Sequence, residues 1–251
     1  MKGNPLLLTA LLVLAGVKAA AAPPPGPTAL ATPAAPAGGV RTLYLVRHGA
    51  YDSADPRDES VGKGLFPIGV AQARLAGDRL RALPFRFDAL LVSPFTRARE
   101  TAGVISGVLD GLPPHVDPDL AECTPPTRRT DVMAREKPER VAACVAQLER
   151  LAARLLVPSP GGDRHELVVA HGNVIRYLVT RALAVDPAAW LGLSIGHASL
   201  TVLSIDPRAG VRVLSVGDVG HIPPPLQTGG VGDPDPNLAV PAPPRSSAPT
   251  P

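Results

Sequence analysis

Thr42-Leu-Tyr-Leu-Val-Arg-His-Gly49 is the stretch on which the reading of this chain turns. Thr42–Val46 is a short apolar run that includes β-branched residues, and Arg47-His48-Gly49 closes it. An unbroken apolar run of this length, with polar residues and glycine at its end, predicts a strand buried on both faces. Asp88–Ser93 (DALLVS) and Glu166–Ala170 (ELVVA) repeat the pattern, and Ser199–Ile205 and Val211–Val216 add two more strands.

Helical spacing fills the intervals. Residues 67–83 place Ile68, Ala71, Leu75, Ala76, Leu80 and Leu83 on one face, with Pro67 in the first turn. Thr96–Leu109 and Asn173–Leu183 read as helices. Pro138–Leu156 is the most amphipathic, with Val141, Val145, Leu148, Leu151, Ala152 and Leu155 on one side. Residues 110–137, rich in Pro, Thr and Arg, read as an excursion loop. Strands alternating with helices predict an α/β fold, a three-layer sandwich with a mostly parallel central sheet and helices on both faces.

Composition sets the limits of that domain. Of 31 prolines in 251 residues, 7 fall in residues 1–39 and 10 in residues 222–251, whereas all eight aromatic residues lie between Tyr44 and Trp190. The expected organisation is a signal peptide at 1–22, an Ala/Pro-rich linker at 23–39, one domain at 40–221 and a Pro-rich disordered tail at 222–251. Removing either end is expected to leave kcat nearly unchanged. Lys2, the apolar run Leu6–Val17 and the small residues Ala19–Ala22 have the pattern of an export leader, so the expected location is periplasmic or secreted. Membrane attachment is expected only through an uncleaved leader.

Charge argues against a nucleic-acid partner: beyond residue 39 there are 23 basic and 22 acidic residues, with no long basic run. The oligomeric state is left open. Cys123 and Cys144 could pair in an oxidising compartment, but two cysteines do not make a disulfide framework; the pairing is left open, with two separate thiols as the favoured reading.

The chemistry collects at strand ends. Arg47-His48-Gly49 follows the first strand, His171-Gly172 the third, and Arg97 lies one turn beyond the end of the second. Ligands of an open parallel sheet bind beyond the carboxyl ends of the strands, so His48, Arg47, Arg97 and His171 should converge. Guanidinium forks, a helix N-terminus after Gly172 and two imidazoles suit a phosphomonoester, with one imidazole as nucleophile. That chemistry calls for no cofactor, and neither histidine stands in a metal-binding spacing.

Arg47–Gly49 (RHG), Ser93–Ala102 (SPFTRARETA) and His171–Asn173 (HGN) together resemble the histidine phosphatase superfamily, also called phosphoglycerate-mutase-like. The resemblance implies a phosphomonoester hydrolase working through a phosphohistidine. It assigns His48 as nucleophile, Arg47, Arg97 and His171 to the phosphate pocket, and Glu122 as general acid. Asp119 and Glu136 are the other carboxylates of that loop in reach of the acid's role. Gly49 and Asn173 join the substrate-binding set. His171–Leu183, Trp190-Leu191 and Gly217–Pro224 are most similar to the branch of mitochondrial protein serine/threonine phosphatases, which implies protein phosphoserine or phosphothreonine as substrate. Ala50-Tyr51-Asp52 departs from the Ser and Asn of the mutases and disfavours mutase activity. The alternatives are an exported phosphatase for small phosphomonoesters and a phosphate-binding pseudoenzyme module. His115, His165, His197 and His221 have no motif support and read as packing or surface residues. Arg176 and Tyr177 read as packing or pairing residues, with a role at the phosphate rim as the alternative, and Trp190 reads as a core anchor.

Overall fold

The computed structural model describes residues 38–229. The expected leader, most of the linker and the tail beyond residue 229 lie outside the described residues. Six strands form one sheet in the order β3-β2-β4-β1-β5-β6: β1 (Arg41–Arg47), β2 (Ala89–Val92), β3 (Pro114–Val116), β4 (Arg164–Ala170), β5 (Leu200–Asp206) and β6 (Gly210–Asp218). β1, β2, β3 and β4 are mutually parallel, β5 runs antiparallel to β1, and β6 antiparallel to β5. The helices are α1 (Pro67–Arg81), α2 (Thr96–Val108), the single turn α3 (Thr130–Met133), α4 (Pro138–Leu155) and α5 (Gly172–Ala182). This is the expected three-layer sandwich.

Both faces of the sheet are covered at its centre, which is why β1 and β4 carry continuous apolar runs. Leu43, Leu45, Val168 and Ala170 pack on one side with Leu148, Leu151 and Leu155 of α4 and Ile175 of α5. Tyr44, Val46, Leu167 and Val169 pack on the other with Ala76 and Leu80 of α1 and Ala98, Ala102 and Ile105 of α2. Every one of these side chains is at most 9% exposed. At roughly 1.5–3 kcal/mol for each large apolar side chain buried, the two clusters are the main source of stability.

Four details differ from expectation. The buried stripe of α1 is Gly69, Gln72, Ala73, Ala76, Gly77 and Leu80, so the helix is rotated from the face of Ile68, Ala71 and Leu75. Glycine decides this: a Cβ on Gly69 would stand 2.0 Å from the carbonyl oxygen of Ala50, and one on Gly77 would stand 3.0 Å from Val108 of α2. The excursion loop contains β3, an edge strand paired with β2, and a 3-10 turn at Pro118–Leu120. Cys123 and Cys144 are not separate thiols but a disulfide, with Cα atoms 5.6 Å apart. The folded body also continues past the expected end at residue 221. Ile222 is 2% exposed in the α1–α2 core, and Pro224–Leu226 forms a 3-10 turn leading to Thr228 and Gly229.

Candidate active site

Sheet order explains how distant residues meet. β2, β4 and β1 are neighbours running the same way, so their C-terminal ends place Ser93, His171 and His48 side by side. β5 runs the opposite way, so its beginning lies beside the end of β1. The backbone N–H of Ala198 donates to the carbonyls of Arg47 (3.0 Å) and His48 (3.2 Å), which carries His197 into the same place.

His48 is 3% exposed and fixed by its own turn. Its Nδ1 lies 2.8 Å from the carbonyl oxygen of Gly49. A carbonyl only accepts, so Nδ1 carries the proton and Nε2 carries the lone pair. Arg97 donates from Nε to that Nε2 at 3.3 Å. The ring of His48 lies 5.0 Å from His171, 5.4 Å from His197 and, edge-on, 5.0 Å from Tyr51. Burial, then the proximity of His171 and Arg47, holds its pKa well below the ordinary imidazole value. His171 is neutral for related reasons, burial followed by Arg97 and Arg47.

Gly49 and Asn173 are held by the protein itself. The N–H of Gly49 donates to Thr101 Oγ1 (3.0 Å), and its carbonyl oxygen accepts from His48. A Cβ on Gly49 would lie 2.5 Å from the carbonyl of Gly69, so only glycine lets this turn approach α1. Asn173 opens α5; its N–H donates to Glu122 Oε1 (3.2 Å) and its Nδ2 to the carbonyl of Cys123 (3.1 Å).

Glu122 is the carboxylate that the fold brings to the histidines: its Oε2 stands 4.0 Å from His171 Nδ1. Burial raises its pKa to about 7, against the pull of Arg47 and the Asn173 N–H. A quarter of its side chain remains exposed, but Oε2 itself is buried. Asp119, one of the two alternatives with Glu136, is engaged instead by Arg150 and Arg154 of α4.

Arg47 is anchored through Nη1, which donates to the carbonyls of Ile195 and Gly229, both at 2.6 Å. Arg97 pairs with Glu59, and its guanidinium lies 4.5 Å from the Tyr51 ring and 5.1 Å from the Phe95 ring. Ser93 Oγ lies 2.6 Å from His171 Nε2.

Two further side chains stand at the site that the sequence reading did not assign to it. Arg176 sits one turn into α5 with its Nε on the carbonyl of Leu193 (2.8 Å). His197 is tied through Nδ1 to Thr228 Oγ1 (2.8 Å), and burial, then Arg47 and Arg97, depresses its pKa to about 2. Spacing points to Arg176, four residues beyond Gly172 on the same helix; only the direction of β5 reveals His197. Among the described residues, Arg47 Nε, Arg176 Nη2, His171 Nδ1, His197 Nε2 and Glu122 Oε2 are buried without a hydrogen-bond partner. Four cationic or imidazole side chains and one raised carboxyl thus converge with unspent hydrogen-bonding capacity, a set suited to an oxyanion. No group of three His, Cys, Asp or Glu among the described residues is arranged to hold a metal ion.

The model of the histidine phosphatase superfamily (branch 1) matches residues 43–127 and 125–218. The chain belongs to the histidine phosphatase superfamily. Among curated relatives, it is 38% identical over 189 residues to the serine/threonine-protein phosphatase Pgam5, mitochondrial, of Caenorhabditis elegans. It is 35% identical over 196 residues to PGAM5 of Homo sapiens. These alignments take in 73% of this chain and 65% and 64% of the relatives, so the chain spans about two thirds of their length. The fold also matches phosphoglycerate mutase from Plasmodium falciparum, with 26% identity, a TM-score of 0.52, and coverage of 74% of this chain and 95% of that one. A putative alpha-ribazole-5'-P phosphatase from Escherichia coli matches in fold, with a TM-score of 0.57 at 20% identity, over 71% of this chain and 96% of that one.

One expectation is overturned here. The periplasmic or secreted location rested on the leader alone, which lies outside the described residues, and the curated relatives are described as mitochondrial. No helix among the described residues is long and apolar enough to cross a membrane.

Proposed function

We propose that this chain hydrolyses phosphomonoesters through a phosphohistidine at His48, with protein phosphoserine or phosphothreonine as substrate. The observation that carries the reading is the pairing of a fixed nucleophile with a raised acid. His48 is neutral, its Nδ1–H is engaged by Gly49, and its Nε2 lone pair faces Arg97. Glu122, with a pKa of about 7, holds a proton near neutral pH.

In the first step Nε2 attacks phosphorus as the ester P–O bond breaks, and Glu122 gives its proton to the departing oxygen. Arg47, Arg97, Arg176 and His171 surround the transferring oxygens, and the N-terminus of α5 adds its positive end. In the second step water attacks phosphorus, Glu122 takes the water's proton, and the Nε2–P bond breaks to release phosphate. Gly49 and Asn173 serve by holding His48 and Glu122 in place.

The protein substrate is the reading that the similarity to serine/threonine-protein phosphatases supports. Hydrolysis of phosphoserine and phosphothreonine peptides, sugar phosphates and nucleotides should be compared at matched concentrations. Higher kcat/KM on the peptides is expected; a preference for small esters would replace the substrate class. Tight phosphopeptide binding with no release of phosphate would favour the pseudoenzyme.

A further inference from the structure

We propose that the Cys123–Cys144 disulfide is a positioning bond for Glu122, which makes turnover of esters with poor leaving groups depend on the thiol redox state. The inference rests on Glu122 being the general acid and goes on to what holds it there.

Glu122 lies in an irregular segment with no ladder of its own, yet a proton donor must be held to within about an ångström of the leaving oxygen. The segment is pinned on both sides of Glu122. Before it, Gln147 of α4 donates from Nε2 to the carbonyls of Asp119 (3.0 Å) and Ala121 (2.8 Å). After it, Cys123 is bonded covalently to Cys144 of α4, and its carbonyl accepts from Asn173 of α5. Cys144 is 2% exposed and heads the buried stripe of α4 that continues through Leu148, Leu151 and Leu155, so its end of the bond is anchored in the core. Cys123 is only partly buried, which leaves the bond open to a thiol reagent. The Glu122 carboxylate accepts one hydrogen bond from the protein, at 3.2 Å from the N–H of Asn173, and its Oε2 has no hydrogen-bond partner. Its position therefore depends on its neighbours.

Reduction by a dithiol transfers two electrons and two protons to the bridge: the Sγ–Sγ bond breaks, Cys123 and Cys144 become thiols, and the reagent closes into its own disulfide. Gln147 and Asn173 still hold the segment's ends, so the fold is retained while Glu122 gains freedom and water. A looser acid penalises esters whose leaving oxygen needs the proton and spares those whose leaving group departs as an anion.

The test compares 4-nitrophenyl phosphate, a good leaving group, with phenyl phosphate, a poor one. It uses the full chain oxidised, the same chain reduced with dithiothreitol, and the Cys123→Ala/Cys144→Ala variant. Reduction and the double substitution should each lower kcat on phenyl phosphate about tenfold or more while changing kcat on 4-nitrophenyl phosphate less than about twofold. The basic limb of the pH profile should move below its value near 7 as Glu122 becomes hydrated. Gln147→Leu, which keeps the disulfide, should show a smaller loss of the same kind and guards against a double variant that fails to fold. Equal losses on both esters, or no loss on either, would overturn the proposal. Glu122→Gln is the control: selective loss there without it in the reduced enzyme rejects the positioning bond alone, whereas no selective loss in Glu122→Gln rejects the acid itself.

Discussion

The guanidinium of Arg97 donates from Nε to Nε2 of His48 across 3.3 Å. The same guanidinium pairs through Nη1 with Glu59, which also holds Lys63 at 2.7 Å. On the proposed mechanism Glu59 therefore competes with an incoming phosphate for Arg97. Glu59→Gln should lower KM for an aryl phosphate by up to about fivefold and leave kcat unchanged, the scale of a partly exposed ion pair. Steady-state kinetics check this; a raised KM would show that Glu59 orients Arg97 instead.

The raised acid sets the pH dependence. His48 stays neutral until well below the ordinary imidazole range, so its protonation brings no loss near neutrality. On the proposed mechanism Glu122 acts in its protonated form, so kcat/KM should fall about tenfold per pH unit above about pH 7, once ionisation of the substrate phosphate is corrected for. In Glu122→Gln the basic limb should vanish and the rate should drop by about 10²–10⁴-fold. A limb retained in that variant would assign the acid elsewhere.

Stability should respond in the same window. Glu122 has a folded pKa raised from 4.5 to about 7, so its contribution is complete below 4.5 and is lost as pH rises through 7. Relative to the parent, Glu122→Gln should gain about 3 kcal/mol on going from acid to alkaline pH. Thermal unfolding across pH measures this; parallel curves for the two proteins would contradict it.

The last described residues belong to the site. Gln72 donates from Nε2 to Thr228 Oγ1 (2.8 Å) and to the Leu226 carbonyl (2.6 Å) and accepts from the N–H of Ala50 (2.9 Å). Gly229 accepts from Arg47 at a φ of +67°, and a Cβ there would lie 2.5 Å from the His197 ring. A chain ending at residue 221 should therefore lose about tenfold or more in kcat/KM, contrary to the expectation from composition, whereas one ending at residue 229 should match the full chain. Gly229→Ala should impair activity in the same direction. Equal activity of the two shortened chains would remove these residues from the account.

The parts that could be read from sequence were those with a local signature. β1 and β4 are apolar without interruption because both faces are covered, and the histidines sit where their strands stop. Other features had no such mark. β3 lies at the sheet edge with all three residues exposed, so no apolar pattern announces it. The direction of β5, which delivers His197, follows from tertiary pairing with β1. Pro223–Pro225 suggested a tail, although proline suits the 3-10 turn that forms there. The disulfide depends on a Cα separation across 21 residues, which spacing does not encode.

The central claim is a phosphoryl group carried covalently by His48. The most direct measurement is trapping it: mix enzyme with an aryl phosphate radiolabelled on phosphorus, quench in alkaline denaturant within the first turnover, and follow the label on protein. The account predicts a label stable in alkali, released by acid, and absent from folded His48→Ala, which should also hydrolyse no ester. Turnover by the parent without labelled protein, an acid-stable label, or a label undiminished in His48→Ala would contradict it.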